Sequence, residues 1–207
     1  PADVDSTRAL GIAELDRMTR LVDDIDMLAT VEGGEPLTLR EVDVGALTRR
    51  IGELVEVIPG HAWSVEAVAD AHVQGDPDRL LQAWLQLADN AAKYTPEGAP
   101  IGVGSAATAD EVRLWVRDHG PGIAPAARHR IFRRFDRAGG RRTVGGSGLG
   151  LAIVDAIMKA HGGLCDIVDT PGGGATFVLH VPVRASEPTL PDPVRAGDVV
   201  LQREAAE

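Results

Sequence analysis

The sequence predicts an α+β domain, with helices on one face of a mainly antiparallel sheet, preceded by one long helix. Three observations lead there. Strand-like and helix-like stretches mix without a regular strand–helix–strand alternation, which disfavours a parallel α/β fold. Two stretches read as hairpins, "APIGVGSAATADEVRLWVRD" and "LCDIVDTPGGGATFVLHVPV", the second with Gly172, Gly173 and Gly174 in its turn. Finally, Leu15, Met18, Val22, Ile25 and Ala29 fall at alternating steps of three and four, the spacing of a coiled coil or helical bundle.

Taken in order, residues 5 to about 31 form the long helix. Leu21 and Leu28 widen its stripe, Asp23, Asp24 and Asp26 crowd its later turns, and "EGGEP" ends it. Val42 and Val44 suggest a short strand; Val44, Leu47, Ile51, Leu54 and Val55 then suggest a helix. Short alternating stretches surround Val65, Val68 and Val73. The strongest helix is "DPDRLLQAWLQLADNAAKYTP", with Asp76 as N-cap, Pro77 in the first turn, an apolar face of Leu80, Leu81, Trp84, Leu85, Leu87 and Ala88, and Pro96 as stop. The first hairpin follows. A second glycine cluster, "GGSGLG", opens the helix "LAIVDAIMKAHGG", and the second hairpin closes the domain. The Pro-rich tail predicts little order beyond one short strand at Val199 to Leu201. The divisions are 1–34, 35–184 and 185–207.

Composition narrows the function classes. The 207 residues carry a net charge of −10, which disfavours general nucleic-acid binding. Cys165 is the only cysteine, so no intrachain disulfide forms and a reducing, cytoplasmic setting is expected. No apolar run approaches the ~20 residues of a membrane span, so no membrane contact is expected of this chain, though it fits the cytoplasmic part of a membrane-anchored sensor. The chain opens at Pro1 without a Met, as a piece of something longer would. Against the acidic whole, residues 126–142 hold seven arginines and one acid, which points to a local anionic ligand.

Four segments need a common explanation. In "LADNAAKYT", Asn90 and Lys93 lie three apart on a helix; the first offers an oxygen suited to Mg²⁺ and the second a point charge for phosphate. In "DHGPGI", Asp118 ends a strand ahead of Gly120 and Gly122; an ionised carboxylate only accepts hydrogen bonds, so it can take the exocyclic amine of adenine and refuse the carbonyl of guanine. "IFRRFDR" carries Phe132, Phe135 and Arg137, and "GGSGLGL" presents the free N–H groups of a helix start to an anion.

In this order and spacing the segments resemble the ATP-binding catalytic domain of bacterial sensor histidine kinases, within the gyrase, Hsp90, histidine-kinase and MutL ATPase superfamily. The resemblance covers about residues 39 to 183: "LADNAAKYTP" resembles the N box, "DHGPGI" the G1 box, "IFRRFDR" the F box and "GGSGLGLAIV" the G2 box. It implies a two-layer α/β sandwich of the Bergerat type, with a mixed, mainly antiparallel sheet and a lid at about 123–147 that is mobile without nucleotide. It further implies ATP and Mg²⁺ as cofactors. Asn90 would ligate Mg²⁺, Asp118 would hold adenine, Lys93 would lie near the phosphates and Arg137 would approach the γ-phosphate. Gln86, Tyr94, Gly120, Gly122, Ile123, Phe132, Gly146, Ser147, Gly148, Leu149, Gly150 and Thr176 would line the nucleotide. Two positions depart from the family pattern: Gln86 stands where the first N-box Asn is usual, and Asp136 replaces a common aromatic.

"ELDRMTRLVDDIDMLA" resembles the second helix of the dimerisation and phosphotransfer hairpin, which implies a homodimer through residues 5–31 and a response regulator as downstream partner. The acceptor histidine belongs on the first helix, typically followed by an acid. The six histidines here precede Ala62, Val73, Gly120, Arg130, Gly162 and Val181, and none lies on the long helix. The expected acceptor therefore sits on another segment of the full-length protein or on a separate chain. A second reading stays open: an ATP-binding regulatory and dimerisation module without efficient transfer, favoured by Gln86 and Asp136. A gyrase- or MutL-type ATPase and an anti-sigma-type serine kinase share the pocket but not the long N-terminal helix.

Overall fold

A computed structural model describes residues 2–33, 36–134 and 147–183. The elements run α1 (Ala2–Glu32), β1 (Arg40–Asp43), α2 (Val44–Val55), β2 (Ala62–Ala67), β3 (His72–Gly75), α3 (Pro77–Tyr94), β4 (Pro100–Ala107), β5 (Glu111–Arg117), α4 (Pro125–Arg128), α5 (Gly150–Ala160), β6 (Leu164–Asp169) and β7 (Ala175–Pro182). Arg137, Gly146, Phe135, Asp136 and the Val199–Leu201 stretch lie outside the described residues.

Five strands form one sheet in the order β2-β4-β5-β7-β6. β2 pairs with β4 in parallel, and every other pairing in the sheet is antiparallel. The short β1 and β3 pair apart from it as an antiparallel ribbon, Val42 opposite Val73. The alternation along β5 decides which face is covered. Val112, Leu114 and Val116 are buried, as are Phe177, Leu179 and Val181 on neighbouring β7. Helices α2, α3 and α5 pack on that face, giving the expected two layers. Trp84 of α3 is fully buried, and its indole N–H donates to the Trp115 carbonyl at 3.0 Å, so the largest core side chain leaves no polar atom unpaired.

The start of α3 is fixed by three segments at once. Asp76 caps it, Oδ1 accepting the N–H groups of Asp78 and Arg79 at 3.1 Å each. Oδ2 accepts the Thr38 N–H at 3.0 Å, and the Asp76 N–H donates to His161 Nε2 at 3.0 Å. His161 Nδ1 lies 2.8 Å from the Ile157 carbonyl. A ring with a backbone donor on one nitrogen and a backbone acceptor on the other is a neutral imidazole protonated on Nδ1. This buried histidine at the end of α5 thus joins α5 to the start of α3.

Helix α1 has two apolar faces. Met27 and Leu28 are buried and Leu21 and Val31 pack against the same core, where α1 meets α5. Ile12, Leu15, Met18, Val22 and Ile25 are exposed on the opposite side. Leu21 and Leu28 therefore do not widen the heptad stripe; they belong to a second face, docked on the domain. No helix among the described residues is long and apolar enough to cross a membrane.

Candidate functional site

Where β5 ends, the chain turns into "DHGPGI". Asp118 is buried, and its Oδ1 accepts two backbone N–H groups, Gly120 at 2.8 Å and Ala175 at 3.1 Å. The Asp118 N–H donates to the Ala175 carbonyl at 2.9 Å, so the acid is tied to β7 through main chain and side chain alike. With Oδ1 engaged, Oδ2 is the atom free to receive a donor from a ligand.

Glycines let three backbone segments close tightly around Asp118. At Gly120 a Cβ would lie 2.8 Å from the Tyr94 carbonyl oxygen, and at Gly174 it would fall onto the Asp118 carbonyl. Gly122 and Gly174 also hold φ of +71° and +114°, the region that side chains avoid. The G1 turn, the end of α3 and the β6–β7 hairpin thus meet at backbone distance. Thr176, paired with Arg117 across the strands, is buried with its hydroxyl 2.9 Å from that of Thr170.

Along α3, Gln86, Asn90 and Lys93 follow one another by about a turn. Asn90 is half-buried. Lys93 pairs with Asp89 one turn back, and Tyr94 is exposed at the helix end. The hydroxyl of Thr95, the C-cap of α3, is buried without a hydrogen-bond partner among the described residues.

The G2 turn reaches α5 through Ser147, Gly148 and Leu149. Gly148 has φ +74°, Leu149 is buried, and the Leu149 N–H donates to Ser147 Oγ at 3.1 Å. A Cβ on Gly150 would stand 2.6 Å from Gln86 Oε1, so glycine there makes room for Gln86. Both Gln86 and Ser147 turn to helix α1: Gln86 Nε2 donates to Asp24 Oδ1 at 3.3 Å, and Ser147 Oγ donates to Asp24 Oδ2 at 2.7 Å. Sequence reasoning missed Asp24 as a site residue, since it lies 62 and 123 positions from its two partners.

The first part of the expected lid is fastened to the domain. Ile131 is buried, and Ile123 and Phe132 pack against the core. Arg128 donates from Nε to the Ile123 carbonyl at 3.2 Å and from Nη1 to the Ile167 carbonyl at 3.1 Å, and it pairs with Asp169. One member of the arginine cluster therefore pins α4 to β6 instead of facing an anion. Among the described residues no group of three or more His, Cys, Asp and Glu could hold a metal ion.

A buried acid in a glycine turn at the end of β5, and a second glycine turn opening α5, sit on a two-layer α/β sandwich. Residues 75–185 match the family described as histidine kinase-, DNA gyrase B- and HSP90-like ATPase, and the chain belongs to that family. The probable sensor histidine kinase TcrY of Mycobacterium tuberculosis is 34% identical over 185 residues, covering 87% of this chain and 39% of that protein. Among solved structures, the mycobacterial sensor histidine kinase MprB superposes with TM-score 0.61 at 33% identity, covering 72% of this chain and all of that one. Full-length ShkA in complex with AMPPNP superposes with TM-score 0.67 at 33% identity, over 83% of this chain and 37% of that one. The chain thus spans well under half the length of TcrY.

Proposed function

We propose that this chain is the ATP-binding, phosphoryl-donating part of a two-component sensor histidine kinase, acting on a histidine that the chain itself does not carry. The observation that supports this best is Asp118, its Oδ1 fixed by two amides inside a glycine wall. Oδ2 accepts the exocyclic amine of adenine and repels the carbonyl that guanine presents in its place. Gly120 and Gly122 shape the turn that receives the base, and Ile123 and Thr176 stand beside it.

Mg²⁺, when bound with ATP, neutralises phosphate charge and fixes the phosphates' geometry. Asn90 offers it a carbonyl oxygen. The amides of the G2 turn, from Ser147 through Gly148 and Leu149 to Gly150, offer donors to the phosphates at a helix start. Lys93 exchanges Asp89 for phosphate, and Arg137 stabilises the moving phosphoryl group. The chain's contribution is positioning and charge neutralisation, with no covalent intermediate of its own.

In this reading residues 1–34 belong to the dimerisation and phosphotransfer bundle, residues 35–184 are the catalytic unit, and a response regulator is the downstream partner. The exposed stripe from Ile12 to Ile25 docks the acceptor-bearing helix and a second copy of the chain. One observation favours the alternative, a binding and dimerisation module without efficient transfer: Gln86 is held by Asp24. Calorimetry with ATP, ADP and GTP in the presence of Mg²⁺ tests the proposal. ATP and ADP should bind, and GTP should bind far more weakly; equal affinity for GTP would remove the role of Asp118.

A further inference from the structure

Asp24 is a carboxylate carried by one element into the site of another. It is half-buried, and its two oxygens take the Gln86 amide and the Ser147 hydroxyl. Ser147 is oriented for this by the Leu149 N–H, which uses a hydroxyl lone pair and leaves the proton for Asp24. The contact joins the start of α5 and the middle of α3 to α1, whose Met27 and Leu28 are buried just beyond it. Arg79 Nη1 also reaches Met27 Sδ at 2.6 Å. The docked face of α1 therefore has an apolar half that any partner could satisfy and one charged residue set on the G2 turn.

We infer that the Asp24 carboxylate competes with the terminal phosphates of the nucleotide, so that binding a triphosphate loosens α1 from the domain. The inference rests on the proposed ATP site, in which the G2 turn receives phosphate. Carboxylate and phosphate are both acceptor-only anions, and the Ser147 hydroxyl that Asp24 now takes lies beside the amides that would receive phosphate at the start of α5. With phosphate bound, Asp24 faces a like charge at close range, half out of water, where repulsion is only partly screened. Docked α1 and bound triphosphate then disfavour each other by the same factor, because linkage is reciprocal. The Gln86 side chain, one carbon longer than the usual Asn of the family, is one of the two donors that hold Asp24.

Calorimetry on the wild-type chain, Asp24→Asn and the exposed neighbour control Asp23→Asn tests this, with Mg·ATP and with AMP. Asp24→Asn should bind ATP roughly three- to tenfold more tightly, the size of one like-charge contact in a half-exposed site. AMP affinity should not change, and Asp23→Asn should match wild type. A second readout uses spin labels at Met18→Cys and Val168→Cys, both exposed positions, with Cys165→Ser. The labels should separate on adding Mg·ATP and stay in place with AMP. Weaker or equal ATP binding by Asp24→Asn, or an unchanged label distance in protein saturated with ATP, would overturn the competition while leaving the ATP site intact. No ATP binding by any variant would overturn the nucleotide reading and the competition with it.

Discussion

Replacing Asp118 by Asn isolates one oxygen atom. Oδ1 accepts from Gly120 at 2.8 Å and Ala175 at 3.1 Å. An Asn carbonyl can keep both bonds, because the two N–H donors allow only an oxygen there. The amide nitrogen is then forced into the Oδ2 position, where in the proposed site it would meet the adenine amine donor to donor. The loss is a hydrogen bond to a charged acceptor, about 1.5–3 kcal/mol. That corresponds to roughly 10- to 150-fold weaker ATP binding, while thermal stability changes little because the internal bonds survive. Titration calorimetry should include purine riboside triphosphate, which lacks the exocyclic amine. Wild type should bind it weakly, and Asp118→Asn should bind it no worse than wild type does. An Asn variant that binds ATP like wild type, or that loses both nucleotides equally, would refute the pairing of Asp118 with the amine.

Other substitutions probe the frame that holds Asp118. Gly174→Ala places a methyl on the Asp118 carbonyl at a φ of +114°; urea unfolding should show a loss of about 2–4 kcal/mol together with lost ATP binding, and a loss under 0.5 kcal/mol would contradict the close approach. His161→Ala leaves the buried Asp76 N–H without its acceptor and should cost about 1–3 kcal/mol, read in the same denaturation assay; no change would mean that the α5–α3 tie is dispensable. Glu111 is held below its ordinary pKa of 4.5 by the hydrogen bond from His180 and then by Arg113. A depressed carboxylate stabilises the fold above its unfolded pKa and loses that contribution as pH falls through the folded value. Thermal melts of Glu111→Gln and wild type should therefore differ at pH 6 by no more than ~1 kcal/mol and converge below about pH 4.5; a gap that stays constant down to pH 3 would contradict the assignment.

Most single elements were legible because their signals are local. Asp76 and Pro77 marked the start of α3, and the alternation from Val112 to Val116 marked β5 and its buried side. The acid before the glycines was legible as a strand-end position, and Asp118 sits buried just past the end of β5. Long-range choices were not legible. Nothing in "REVD" or "HVQG" says that these strands leave the main sheet to pair with each other, or that β2 runs parallel to β4. Helix periodicity showed that α1 is apolar but merged two faces, because docked Leu21 lies one turn from exposed Ile25, only about 40° away around the helix. The Asp24 contact had a single faint trace, the glutamine at position 86. The arginine cluster misled in part, since guanidinium density cannot distinguish Arg128, bonded to Ile123, Ile167 and Asp169, from an arginine facing a ligand.

Phosphoryl transfer from ATP to a histidine outside the chain is directly measurable. The chain is incubated with γ-labelled Mg·ATP, alone and with a polypeptide carrying the histidine-bearing first helix of its bundle. Acid-labile, base-stable label should appear on the added polypeptide and none on the chain by itself; Asn90→Asp should suppress that label, and Arg137→Ala should slow its appearance more than it weakens ATP binding. Label on a histidine of the isolated chain, or no label with any acceptor helix despite bound ATP, would contradict the proposed transfer to an outside histidine.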